Sequence, residues 1–121
     1  MPENVGLRVI TPIVPATDMK RTLRYFESLG FTVKPYGDGA QYAFLHMDGQ
    51  YIHVRRAKED ELSSNPGGIY LYVQDVDGFY DRVVSNGITP LDKPKNYEWK
   101  MREFAVSDPD GLLIRIGQDI R

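Results

Sequence analysis

One pattern occurs twice in this chain, and that repeat constrains the fold more than any other feature. The stretch from Asp18 to Phe31 reads Asp-Met-Lys-Arg-Thr-Leu-Arg-Tyr-Phe-Glu-Ser-Leu-Gly-Phe, and the stretch from Asp75 to Ile88 reads Asp-Val-Asp-Gly-Phe-Tyr-Asp-Arg-Val-Val-Ser-Asn-Gly-Ile. Aligned without a gap, Asp18 meets Asp75, Gly30 meets Gly87 and Phe31 meets Ile88. Each copy runs from an extended apolar segment through an amphipathic helix into a glycine turn and further strands. A duplicated half-domain forms a cleft between its copies, so function is expected to depend on what lines that cleft.

Size bears directly on how the copies are used. A chain of 121 residues, 41% hydrophobic and 26% charged, is long enough for one domain (residues 1–121) and too short for two. Halves of roughly 60 residues bury little surface alone, so they must share a core or exchange it with a second chain, and a homodimer is expected. A net charge of −2 argues against nucleic acid or a membrane as partner. Lys93, Lys95, Lys100 and Arg102 cluster, but Glu98 and Glu103 are interspersed, which reads as a solvated loop. The lack of cysteine excludes disulfides, thiolate metal sites and a cysteine nucleophile. No apolar run approaches the roughly 18 residues of a membrane span, and Met-Pro-Glu-Asn-Val is no signal peptide, so a soluble cytoplasmic protein is expected.

The element order follows from periodicity and turn chemistry. Leu7 to Val14 is apolar, β-branched and interrupted by proline, as suits a strand with an irregular end. Thr17 or Asp18 caps a helix whose stripe is Met19, Leu23, Phe26 and Leu29, and Gly30 stops it. Strands are predicted at Phe31 to Tyr36, Gln41 to Met47 and Tyr51 to Arg56, joined at Gly37-Asp38-Gly39 and Asp48-Gly49. After a polar linker at 59–68 the pattern repeats. It gives a strand at Ile69 to Val73, a helix at Val76 to Ser85 with Phe79, Val83 and Val84 inward, and strands at Ile88 to Leu91, Met101 to Val106 and Leu112 to Gly117. The last two are joined by Asp108-Pro109-Asp110-Gly111. The prediction is an α+β fold of two tandem βαβββ modules, 7–58 and 67–118.

Three strings carry a family resemblance. Asp18 to Phe31, with Arg24-Tyr25-Phe26 and Leu29-Gly30-Phe31, resembles the first helix of bleomycin-resistance proteins of the vicinal oxygen chelate superfamily. Tyr70 to Tyr80 resembles their aromatic strand running into the second helix. Trp99, then Arg102-Glu103-Phe104-Ala105-Val106 and Asp108-Pro109-Asp110-Gly111, is similar to the segment where they carry a Trp, an Arg-Glu-Phe-Ala string and an Asp-Pro turn. The resemblance spans about residues 9 to 118. It implies that the paired modules curl into a half-open mixed β-barrel over a cleft. In the metalloenzyme members, which include glyoxalase I and extradiol dioxygenases, one metal ligand stands on each of four strands there.

Those four places correspond here to Thr11 or Pro12, His53, Gly68 and Arg115. Only His53 is a good ligand for a divalent ion. Glycine has no side chain, a threonine hydroxyl binds weakly, and the guanidinium puts a cation where a carboxylate would stand. No metal and no cofactor are therefore expected, and no catalytic residue is assigned. What the resemblance implies instead is an aromatic cleft. Strand alternation puts Tyr70 and Tyr72 on one face, and Tyr51, His53 and Arg55 on one face of another strand. Tyr42 and Trp99 match places where the bleomycin-resistance proteins carry aromatics around a ligand groove at their dimer interface.

The expected ligand-binding set is Tyr42, His53, Tyr70, Tyr72, Trp99 and Arg115, with Arg115 pairing with a carboxylate such as Glu103. The expected function is non-catalytic sequestration of a small, partly aromatic molecule, a bleomycin-like or other planar antibiotic. The net charge of −2 offers such a cationic drug less long-range attraction than a strongly acidic binder would. Three alternatives stay open: a metal-dependent enzyme of the glyoxalase or dioxygenase type, a metal-independent enzyme with His53 as general base, and an interaction domain.

Overall fold

The computed structural model describes residues 6–62 and 67–121. Its elements in chain order are β1 (Ile13–Ala16), α1 (Met19–Leu29), β2 (Thr32–Pro35), β3 (Tyr42–Met47) and β4 (Gln50–Arg56). Then, after a 3-10 turn at Glu59–Glu61, come β5 (Gly68–Tyr72), α2 (Val76–Ser85), β6 (Lys95–Asn96), β7 (Met101–Ser107) and β8 (Leu113–Asp119). The strands form two four-stranded sheets, ordered β1-β4-β3-β2 and β5-β8-β7-β6. In each, the first strand runs parallel to the fourth and the other pairs are antiparallel. The repeat seen in the sequence is thus a repeat of topology, and the α+β reading with two βαβββ units holds.

Local chemistry explains both helices. Asp18 accepts a hydrogen bond from Arg21 N at 3.1 Å, and Asp75 accepts one from Gly78 N at 3.0 Å, so the aligned aspartates are equivalent N-caps. Gly30 ends α1 at φ 124°, a conformation that side-chain-bearing residues disfavour, while its N–H closes on Phe26 and Glu27 carbonyls. Met19, Thr22, Phe26 and Leu29 are the buried residues of α1. In α2 they are Val76 and Val83, with Phe79 and Tyr80 packed against the core from its edge. Val84, expected inward, is exposed. It follows Val83 by one residue, about 100° around the helix, and Tyr80 takes the inward place.

Both helices and one face of each sheet share a single hydrophobic core. From the first sheet come Val14, Ala43, Leu45, Ile52 and Val54, and from the second Phe104, Val106, Ile114 and Ile116. Hydrogen bonds also tie the halves together. Thr17 donates from N and Oγ1 to the Asp110 carboxylate at 3.0 and 2.6 Å, and Asn86 Nδ2 donates to the Ser28 carbonyl at 3.1 Å. Asp110 is presented by the Asp-Pro-Asp-Gly turn, where buried Asp108 accepts from the N–H groups of Asp110 and Leu112, both at 2.9 Å.

Two strand predictions need correction. Strand pairing begins at Ile13, where β1 meets His53 of β4, and residues 7–12 form no strand. Leu7, Val9 and Ile10 stand 79%, 66% and 77% exposed. Ile88 to Leu91 is not a strand either. Ile88 N caps α2 on the Val83 carbonyl, Pro90 has no N–H to give, and only Leu91 N reaches β7, at Ala105 O. The edge strand is the two-residue β6, which pairs Lys95 with Glu103 and Asn96 with Arg102. Of the linker predicted at 59–68, residues 63–66 lie outside the described residues.

Candidate ligand-binding faces

Because one face of each sheet is spent on the core, alternation turns the other face outward. On the first sheet the outer face carries Tyr42, Phe44, Tyr51, His53 and Arg55, alternating with buried Ala43, Leu45, Ile52 and Val54. Tyr42 lies opposite Arg55 and Phe44 opposite His53. The Tyr42 hydroxyl and His53 Nδ1 share a hydrogen bond of 2.8 Å. Tyr36, Tyr42, Phe44 and His53 form a chain of edge-on ring contacts, the tightest being Phe44 to His53 at 5.0 Å. This geometry orients the His53 ring through its Nδ1.

The second sheet builds its outer face around one buried carboxylate. Residues paired in register share a face, so Tyr72, Gly117, Glu103 and Lys95 form one row across the sheet, and Tyr70, Arg115 and Ala105 the next. Glu103 is 3% exposed. Its Oε2 accepts from the Tyr70 hydroxyl at 2.7 Å and from Trp99 Nε1 at 3.2 Å, while its Oε1 lies 3.5 Å from Arg115 Nη1. An unpaired buried carboxylate would be expensive, and here three donors answer it. Partial burial, and then the hydrogen bond to Glu103, push the Tyr70 phenol above its ordinary range, which keeps it a donor.

Both walls of this face are aromatic pairs. The Tyr70 and Tyr72 centroids are 4.7 Å apart, and Tyr97 stacks on Trp99 at 4.5 Å with an interplanar angle of 19°. Tyr72 and Trp99 remain 77% and 55% exposed, so large ring surfaces are offered to solvent. Gly117 makes the arrangement possible, since a Cβ there would overlap the Tyr70 ring and hydroxyl. Gly117→Ala is therefore expected to push Tyr70 off Glu103 and to lower stability by about 1–3 kcal/mol, the range for overpacking. In a Tyr70→Ala background the same substitution should cost almost nothing, as thermal unfolding of the four proteins in the cycle would show.

The six residues predicted for binding thus fall into two groups. Tyr42 and His53 meet on the first sheet, and Tyr70, Tyr72, Trp99 and Arg115 meet on the second. A groove of about 980 Å³ between the halves takes Tyr51 from β4, Tyr70 and Tyr72 from β5, and Phe79 and Arg82 from α2, but not Tyr42, His53, Trp99 or Arg115. Sequence reasoning gave Glu103 as a partner for Arg115 but also placed it in a solvated loop, whereas it stands buried on β7. The same reasoning missed Gly117, Phe44, Lys95 and Tyr97, whose roles depend on cross-strand register and, for Tyr97, on the turn that stacks it on Trp99.

The superfamily's metal positions do not fit an ion. His53 pairs in register with Ile13 rather than with Thr11 or Pro12. Gly68 offers no donor, Arg115 is engaged by Glu103, and these two stand on the other sheet from His53. Among the described residues no group of three or more His, Asp or Glu side chains could hold a metal. No helix of the described residues is long and apolar enough to cross a membrane.

Comparison with known proteins agrees with this architecture. Bleomycin resistance proteins of Geobacillus stearothermophilus and Staphylococcus aureus are 27% identical over 128 aligned positions, covering 91% of this chain and 96% of theirs. The crystal structure of a bleomycin-binding protein complexed with bleomycin superposes with a TM-score of 0.75 at 26% identity, covering 93% of this chain and 98% of that one. A bleomycin resistance determinant encoded on the transposon Tn5 shares the fold, with a TM-score of 0.80 over 93% of this chain and 98% of its own, at 24% identity. The model of the glyoxalase/bleomycin resistance protein/dioxygenase superfamily matches residues 8–116, and the chain belongs to that superfamily.

Proposed function

We propose that this protein captures a small, partly aromatic molecule and holds it without chemical change. The observation that carries the reading is the Glu103 cluster. Tyr70 and Trp99 are fixed by one buried carboxylate, with exposed ring faces beside them, on a fold whose metal positions hold one good ligand, His53. Each ring stacked on a planar ligand adds roughly 0.5–1.5 kcal/mol beyond the area it buries, so several give useful affinity without catalysis. Relatives named for bleomycin resistance, and a structural neighbour that holds bleomycin, support a binding role. Protection then works by mass action in the cytoplasm, with one ligand held per site.

The active unit is a homodimer. Within one chain the Tyr42–His53 face and the Tyr70–Trp99 face back onto the same core, so a cleft lined by both needs a second copy. Leu7, Val9, Ile10 and Ile13 supply an exposed apolar segment beside the first sheet, of the kind that marks an interaction surface. Replacing Leu7 and Ile10 with aspartate is expected to give monomers in sedimentation velocity and to abolish ligand binding. A wild-type monomer that binds ligand would overturn the dimeric cleft.

Capture and catalysis differ in stoichiometry. Incubation with bleomycin, a quinolone carboxylic acid and an acridine, followed by mass analysis, should return each ligand unchanged. Protection should saturate at about one ligand per chain. The hydrogen bond that orients His53 on Tyr42 supports a second reading, in which the other ring nitrogen serves as general base. That reading predicts ligand consumed by substoichiometric protein, with turnover lost in His53→Ala.

A further inference from the structure

The charges on the outer face of the second sheet are not balanced toward solvent. Two cationic side chains rise from it. Arg115 has a side chain 49% exposed, and Lys95 stands in the same row as Glu103 with its Nζ 5.1 Å from the Tyr97 ring centroid. Of the carboxylates nearby, Glu103, Asp92 and Asp119 already hold donors. Both Glu103 oxygens are taken by Tyr70, Trp99 and Arg115, and the group is buried. Asp92 accepts from Ala105 N at 2.8 Å along the strand edge, and Asp119, in the row beyond, is engaged by Arg121 at 3.2 Å. Glu98, between Tyr97 and Trp99 in the chain, lies in the exposed turn.

A ligand laid between the Tyr70–Tyr72 and Tyr97–Trp99 walls therefore meets N–H donors and the positive charge of Arg115 and Lys95 on the sheet itself, while the exposed carboxylate of Glu98 stands outside the sheet in the turn. Arg115 Nη1 lies a long 3.5 Å from Glu103 Oε1, and a guanidinium carries five donors in a planar fork suited to a carboxylate. We propose that this face selects planar aromatic ligands that carry an anionic group, with Arg115 as the principal anion contact and Lys95 as the second. The assignment rests on the ligand-capture reading above and specifies the class of ligand captured. Cationic drugs of the bleomycin kind are then the weaker ligands.

Three matched probes test it at pH 7 by calorimetry: naphthalene-2-carboxylate, 2-naphthamide and naphthalen-2-ylmethylammonium. The carboxylate is expected to bind about tenfold more tightly than the amide, the size of one charge-assisted hydrogen bond at a part-exposed site, and the ammonium more weakly than either. Arg115→Gln should bring the carboxylate-to-amide affinity ratio to about one, and Lys95→Gln should lower that ratio by a smaller factor that raised salt also removes. Thermal unfolding followed by far-UV circular dichroism shows that each variant folds. Equal binding of the three probes, a preference for the ammonium, or equal losses for amide and carboxylate in Arg115→Gln would overturn the charge assignment and leave the aromatic cleft standing. Binding of none of the three would overturn the capture reading and this inference with it.

Discussion

Phe26→Ala is expected to lower folding stability by about 3–5 kcal/mol, the range for truncating a fully buried phenylalanine. Phe26 is completely buried and meets Tyr25 and Phe31 edge-on at centroid distances of 5.7 and 5.8 Å. It belongs to the core that both sheets and both helices share, so the cavity opens within that common core. Because domains of this size are stable by only about 5–15 kcal/mol, the variant should unfold at a much lower urea concentration and lose ligand binding on mild warming. A loss below about 1 kcal/mol would mean that the halves do not depend on this common core.

Glu103→Ala should have the second large effect, and it should act on stability and binding together. The substitution strands the Tyr70 hydroxyl and Trp99 Nε1 without an acceptor and frees Arg115. Two lost donor contacts at a largely buried acceptor are expected to cost about 2 kcal/mol. The aromatic walls then lose their fixed positions, so aromatic ligands should weaken by roughly tenfold or more, equivalent to about 1.4 kcal/mol or more. Glu103→Gln keeps the volume and one oxygen acceptor and should retain most of the ring geometry. Trp99 emission reports the difference, since it is the only tryptophan. An alanine variant with wild-type emission and wild-type affinity would show that the carboxylate does not position the rings.

Much of this was legible before any coordinates. Asp18, Asp75 and Gly30 announced their helix ends because capping is local chemistry, decided within three or four residues. Alternation put Tyr70 with Tyr72, and the cost of an interior charge gave Arg115 a partner in Glu103. Local reading failed where a neighbour decides the outcome. Leu7 to Ile10 has strand composition, yet the ladder to β4 ends with His53 N on the Pro12 carbonyl, because Pro12 has no N–H to carry the pairing further. Ile88 to Leu91 is spent on capping α2 and turning, so the edge of the sheet falls to Lys95 and Asn96. The importance of Gly117 depends on lying across from Tyr72 and beside the strand that bears Tyr70, a fact of register that no single stretch of sequence encodes. For the same reason the six predicted residues looked like one cleft, although a single chain divides them between two outer faces.

Capture without chemistry is tested most directly by titrating metal-analysed protein with the panel of bleomycin, a quinolone carboxylic acid and an acridine while following Trp99 fluorescence, and then recovering the ligands. The account predicts saturable quenching by a panel member at about one site per chain, unchanged by chelator, weakened in Tyr70→Ala, with every ligand recovered intact. Near-stoichiometric zinc, iron or manganese in the protein, together with chelator-sensitive conversion of a ligand, would contradict it and make this chain a metalloenzyme of its superfamily.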